Sequence, residues 1–288
     1  MDDLVSICIP TFNGEKYLQE ALDSVKAQTY KNIEVVISDD RSSDDTLNIC
    51  EKFKTEVSFP VSVFSHMPQG IGANWNNSVN KARGKFIKIL FQDDVLEANC
   101  IEEMLNCLLK NNLDIVVSKR NIIDEGSLKI TTGDWFEKYK DLQKPAGIPE
   151  SDFFILSRKN FRDLDVKVYS SENIIGEPCA SLFSKRLFED VGPFSECYKQ
   201  ILDYEYWLRT LATYDIGILG EKLVKFRYHP QQASAVNLSE ELDEGPVIEN
   251  ILLRKFLFDI DLKSIIFLLK KRMPFFVKVA QMRYKLFP

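Results

Sequence analysis

The chain has 288 residues, 45% of them hydrophobic and 11% aromatic, and a formal net charge of −6. That apolar content is enough for a real core and excludes a disordered chain, and the acidic balance argues against general nucleic-acid affinity. The six cysteines (Cys8, Cys50, Cys100, Cys107, Cys179 and Cys197) form no CxxC pair and mostly lie in apolar segments. They read as reduced, buried thiols and not as a disulfide frame or zinc site.

No basic and apolar leader opens the sequence, so a cytoplasmic protein is expected. Val5–Pro10 reads as a strand stopped by proline, Thr11–Gly14 as a turn, and Glu15–Gln28 as a helix with Tyr17, Leu18, Ala21, Leu22 and Val25 on one face. Ile33–Ser38 is a second strand, ending in Asp39-Asp40-Arg41-Ser42-Ser43-Asp44, and a helix follows to about Phe53. Val61–Phe64 is a third strand, and a loop with Gly70 and Gly72 precedes a helix over Asn74–Lys81. Phe86–Phe91 is a buried strand that stops abruptly at Gln92-Asp93-Asp94. A helix over Ala98–Leu109 and a strand over Asp114–Ser118 follow. Strands alternating with helices at this spacing predict a doubly wound α/β fold with a mostly parallel sheet.

After Lys119 the regularity stops, and 120–172 reads as an irregular excursion covering the site. Regular structure resumes at Cys179–Ser184 and a helix over Lys185–Val191, ended by Gly192-Pro193. Asp203–Leu211 is a helix with two acids in its first turn, and Ile216–Leu219 and Lys222–Tyr228 read as short strands. The organisation expected is one domain over 1–240 and a basic amphipathic helical extension over 241–288. The domain is expected to divide into two halves, 1–118 and 119–240, the second containing the irregular insertion. Residues 251–288 carry nine Lys/Arg and two Asp, net +7 in a chain of −6, which leaves −13 for the rest. An acidic body with a basic, greasy tail fits an in-plane membrane helix, a second subunit, or packing on the body itself.

Three strands of the N-terminal half end in polar clusters at one sheet edge: Pro10-Thr11-Phe12-Asn13, Asp39-Asp40 and Asp93-Asp94. Ligands bind at the carboxyl ends of strands in such sheets. An isolated Asp-Asp pair is more often a solvated turn than a metal site, but three converging clusters could serve a base, a ribose and a metal-bound diphosphate. No Gly-Lys-Ser/Thr phosphate loop and no GxGxxG is present, which weighs against ATPase and dinucleotide readings.

Ile7-Cys8-Ile9-Pro10-Thr11-Phe12-Asn13, Leu22 to Tyr30 and Val36 to Asp44 together resemble the opening of family 2 glycosyltransferases of the GT-A fold. Gly176-Glu177-Pro178, Val191-Gly192-Pro193-Phe194 and Asp203 to Arg209 continue the resemblance. It implies an inverting enzyme of bacterial glycan biosynthesis, moving a sugar from a nucleoside diphosphate, a UDP-sugar above all, to a glycan or lipid-linked acceptor. Pro10, Thr11 and Asn13 would line the base and ribose pocket, and Asp39 would bond the base, with Asp40 buttressing the loop. Asp93 would face the ribose or sugar, and Asp94 would ligate Mn²⁺ or Mg²⁺. Asp203 falls where inverting members place the base, although the usual preceding acid is here Leu202. His229 would be a metal ligand, and Arg227 would meet the diphosphate, with Arg83 a further candidate. The rival readings are a sugar nucleotidyltransferase, which lacks the Gly-rich basic loop it needs, and a binding module without turnover.

Overall fold

The computed structural model describes residues 3–238 and 242–272. In chain order the elements are β1 Val5–Thr11, α1 Leu18–Lys26, β2 Ile33–Asp39, α2 Thr46–Glu56, β3 Val61–Ser65, α3 Ile71–Lys81, β4 Phe86–Ile89, β5 Val95–Leu96 and α4 Cys100–Lys110. The second half holds β6 Ile115–Ile123, α5 Asp134–Tyr139, β7 Phe153–Leu156, α6 Val166–Tyr169, β8 Ser181–Ser184, α7 Lys185–Val191 and α8 Leu202–Leu211. It ends with β9 Ile216–Arg227, α9 Ala233–Leu238, α10 Gly245–Lys255 and α11 Leu262–Arg272. β1, β2 and β4 are buried at every position, as strands covered on both faces must be.

The sheet runs β3-β2-β1-β4-β8-β6-β9, with β5 and β7 both paired to β9. β3, β2, β1 and β4 are parallel, as expected. β8 is inserted antiparallel between β4 and β6, and β6 and β9 are again parallel. The fold is α/β, and its parallel half carries three of the polar strand ends. Those ends are adjacent because the register pairs Thr11 with Asp39, while Leu90 N–H bonds the Cys8 carbonyl.

Several boundaries differ from the sequence reading. β6 does not stop at Ser118 but continues to Ile123 after a register shift at Lys119. The two short strands expected near 216–228 are one twelve-residue strand, β9. Its polar middle, Gly220-Glu221-Lys222, lies opposite the irregular stretch of β6 and hides the continuity. A Cβ at Gly220 would lie 2.4 Å from the Ser151 carbonyl, so glycine lets the approach to β7 close in. The 120–172 segment is not wholly irregular, since it completes β6 and contributes β7 to the sheet.

All six cysteines are free, and Cys8, Cys50, Cys100 and Cys179 are buried, while Cys197 is exposed. The extension is no separate body. Ile248, Leu252, Phe256, Ile260 and Leu268 belong to the same apolar core as the sheet, and Phe256 stacks on Phe161 at 4.8 Å. Lys278, Arg283 and Lys285 of the expected tail lie outside the described residues.

Candidate active site

The site begins where β1 and β4 leave the sheet. The Gln92 side chain accepts from Phe12 N–H at 2.8 Å and donates to the Phe12 carbonyl at 3.0 Å, tying the two loops together. A Cβ at Gly14 would sit 2.3 Å from the Gln92 amide oxygen, so this clamp needs glycine there. Phe12 itself stands 52% exposed on the rim, a free aromatic face. Asn13 adopts a left-handed φ of 47° and accepts from Ser43 N–H at 2.8 Å, which an Asx side chain tolerates.

Asp39 is fully buried and accepts from the Thr11 hydroxyl at 3.0 Å, the Ser42 hydroxyl at 2.5 Å and Ser42 N–H at 2.9 Å. One acceptor position on Oδ1 remains for any base. Asp40 accepts from Gln69 N–H at 3.1 Å and so buttresses the loop before α3. Asn74 on α3 donates to the Thr11 carbonyl at 3.0 Å, holding the turn from below.

Asp93 and Asp94 differ sharply. Asp93 Oδ2 pairs with His229 Nε2 at 3.0 Å. Asp94 is buried, and one of its oxygens accepts from Arg227 N–H at 2.9 Å. The other meets no nitrogen or hydroxyl donor, its neighbour being the Cys179 thiol, a weak donor that favours the ionised form. Burial, then the Asp93 charge, pushes the Asp94 carboxyl well above the usual carboxylate range. An unpaired, buried, hard oxygen beside a second carboxylate is what a divalent cation relieves. His229 Nδ1 is likewise buried without a partner. Among the described residues no three His, Cys, Asp or Glu side chains form a complete cage. Asp94 and His229 could therefore supply only part of a cation's shell.

The Arg227 guanidinium is buried and bonded to the Asp93 carbonyl at 2.8 Å, the Asp124 carbonyl at 2.8 Å, the Ser127 hydroxyl at 2.9 Å and Glu20 at 2.5 Å. It also lies 4.6 Å from the Tyr17 ring centre. With all three nitrogens engaged by protein groups, Arg227 props the loop of Asp93 from behind. Arg83 is farther off, paired with Glu34 at 2.7 Å at the opposite end of β4. A cleft of about 610 Å³ opens beside Arg83 at that end, and none of the acids of the site lines it.

Asp203 sits in the first turn of α8. Asn173 donates to its Oδ2 at 2.9 Å, and Tyr204 N–H bonds its Oδ1 at 2.7 Å. The residue keeps part of its surface open but stands deep in the fold, and desolvation raises its pKa to about 7. Glu177 raises Asp94 and Asp203 alike, so it stands within electrostatic reach of both. Its Oε1 is 2.8 Å from Arg120, and its Oε2 is buried without a partner. Trp207 is buried and bonds the Gly176 carbonyl at 2.8 Å, while Arg209 bonds Glu205 and the carbonyls of Val191 and Pro193, bracing α8.

Hydrogen bonds thus tie Asp39 to Thr11, Gln92 to Phe12, Asp93 to His229 and Asp94 to Arg227, while Asn173 holds Asp203. Asn173, Gln92 and Arg120 were not singled out by sequence reasoning, because a single amide or guanidinium carries no spacing signal.

The family model described as Glycosyl transferase family 2 matches residues 6–192. An uncharacterised glycosyltransferase of Rickettsia typhi is 30% identical over 244 residues, covering 83% of this chain and 69% of its own. Escherichia coli WfgD, named as a UDP-Glc:alpha-D-GlcNAc-diphosphoundecaprenol beta-1,3-glucosyltransferase, is 27% identical over 270 residues, covering 88% of this chain and 90% of its own. Among solved structures, S. aureus TarS in complex with UDP-GlcNAc superposes with a TM-score of 0.67 at 18% identity, covering 95% of this chain and 73% of that one, a likeness of fold. The ordered strand-end acids, the shared fold and the match across most of the sheet make the chain a glycosyltransferase belonging to glycosyl transferase family 2.

Proposed function

We propose that the chain is an inverting glycosyltransferase that moves a sugar from a UDP-sugar to a hydroxyl of a glycan or lipid-linked acceptor in polysaccharide biosynthesis. One observation carries the reading: the 173–179 segment spans the two acids, with Asn173 bonded to Asp203 at 2.9 Å and Cys179 beside the buried Asp94, whose Oδ1 accepts from Arg227 N–H at 2.9 Å. The names of WfgD and TarS supply the nucleotide and acceptor classes by analogy.

The exposed face of Phe12 would stack on the base, with Pro10, Thr11, Asn13 and the remaining acceptor position of Asp39 around base and ribose. Asp93, oriented by His229, would meet the ribose or sugar hydroxyls. Asp94, with His229 at its edge, would hold Mn²⁺ or Mg²⁺, which when bound neutralises charge on the leaving diphosphate. Asp203 would accept the acceptor hydroxyl's proton as that oxygen bonds the anomeric carbon. The bond from that carbon to the phosphate oxygen breaks on the opposite face, giving inversion. A base with a pKa near the working pH balances proton affinity against ionised fraction.

Asp203→Asn tests this. The expected result is loss of transfer by about a hundredfold or more with UDP binding retained, read by product formation and by calorimetry. Unchanged turnover in that variant removes Asp203 from the chemistry.

A further inference from the structure

α11 is anchored on one side and open on the other. Ser264 and Leu268 face the core, and Lys271 reaches Glu249 on α10 at 2.7 Å. On the opposite side Leu262 is 70% exposed, and Ile266 and Leu269 are exposed with it. The spacing i, i+4, i+7 sets these three within roughly 60° of arc. In the turn before them Phe258 is 87% exposed. Arg158 holds that turn firmly, bonding Asp259 at 2.6 Å and the Lys255 carbonyl at 2.6 Å. The protein thus presents an apolar stripe on a fixed mount.

Cations border the stripe. Lys263 and Lys270 lie exposed along one flank and Arg272 falls on the other. The two acids of this stretch are engaged, Asp259 by Arg158 and Asp261 by Ser264 N–H at 2.8 Å. Beyond Arg272 the sequence to Pro288 continues with aromatic and aliphatic residues, Lys278, Arg283 and Lys285, and no acid. Among the described residues no helix is long and apolar enough to cross a membrane.

We propose that Phe258, Leu262, Ile266 and Leu269 dock on an anionic lipid surface, with α11 lying in the plane of the interface. Apolar side chains enter the acyl boundary while Lys263 and Lys270 meet negative headgroups. A second copy is the poorer occupant, because two-fold pairing would bring these lysines face to face. The proposal stands apart from the transfer chemistry, since its readout is binding.

The experiment is co-sedimentation of the full chain with phosphatidylglycerol–phosphatidylethanolamine vesicles, against pure phosphatidylcholine vesicles. The wild type is expected to pellet with the anionic vesicles only and to be released by salt. Leu262→Ser/Ile266→Ser/Leu269→Ser should weaken that binding about tenfold or more, and Lys263→Gln/Lys270→Gln severalfold. Both variants keep UDP binding, which shows that the fold and the donor site are intact. Undiminished vesicle binding by both variants overturns the proposal. So does a wild-type dimer in sedimentation velocity that the serine variant dissociates while vesicles capture neither protein.

Discussion

Asp203 shows how one residue's surroundings set a measurable property. Burial raises its pKa to about 7, and in the proposed mechanism the ionised form is the base. The expected kcat/KM therefore climbs as pH rises through about 7 and levels off above it. The stability it contributes is present below the ordinary carboxylate range and is lost progressively as pH rises from there to about 7, so the gain of Asp203→Asn over the wild type in urea melts should be absent at about pH 3, partial at about pH 5 and full at about pH 8. Asn173 favours the ionised form through its hydrogen bond. Asn173→Ala should move the rate limb to higher pH and lower kcat near neutrality about tenfold, with the KM for donor unchanged. At Asp94, substitution by Asn should abolish the extra thermal stabilisation that Mn²⁺ gives over UDP alone, measured by differential scanning fluorimetry. The acids were legible in the sequence because strand ends and motif order mark them. The bracing of Arg227 was not legible, because its charge is visible in a sequence, whereas its four protein partners, Glu20, Asp93, Asp124 and Ser127, lie far away in the chain.

At the level of elements, α8 is organised from both ends. Glu244 accepts from Lys199 N–H at 2.9 Å, Gln200 N–H at 2.9 Å and Ile201 N–H at 3.1 Å, supplying a carboxylate to the helix start that carries Asp203. Glu244→Ala should cost about 1–2 kcal/mol, read as a Tm lower by a few degrees, together with a fall in kcat that leaves UDP affinity unchanged. Helices with one apolar face, such as α1 and α4, were placed within a few residues from periodicity. β9 was broken in two because its polar middle resembles a turn. Its continuity depends on pairing with β6 and β7, which the local sequence does not state.

For the whole molecule, the extension tests where the body ends. Ile248, Leu252, Phe256 and Ile260 are buried in the common core, so ending the chain before Gly245 would bare the surfaces they cover. At about 2 kcal/mol per buried large apolar side chain, such a chain should melt more than ten degrees lower or aggregate, as seen by calorimetry and light scattering. The sequence boundary at 240 marks a change in composition, not an independent unit.

The position of β8 has a further consequence for how the protein is made. β4 pairs with β1 early but finds its second neighbour only when β8 emerges, and Lys88 lies 91 positions before Cys179, whose carbonyl it bonds from inside the sheet. A nascent chain still on the ribosome therefore carries β4 as a bare apolar edge with a buried-type lysine lacking its acceptors, the kind of intermediate that chaperones shield.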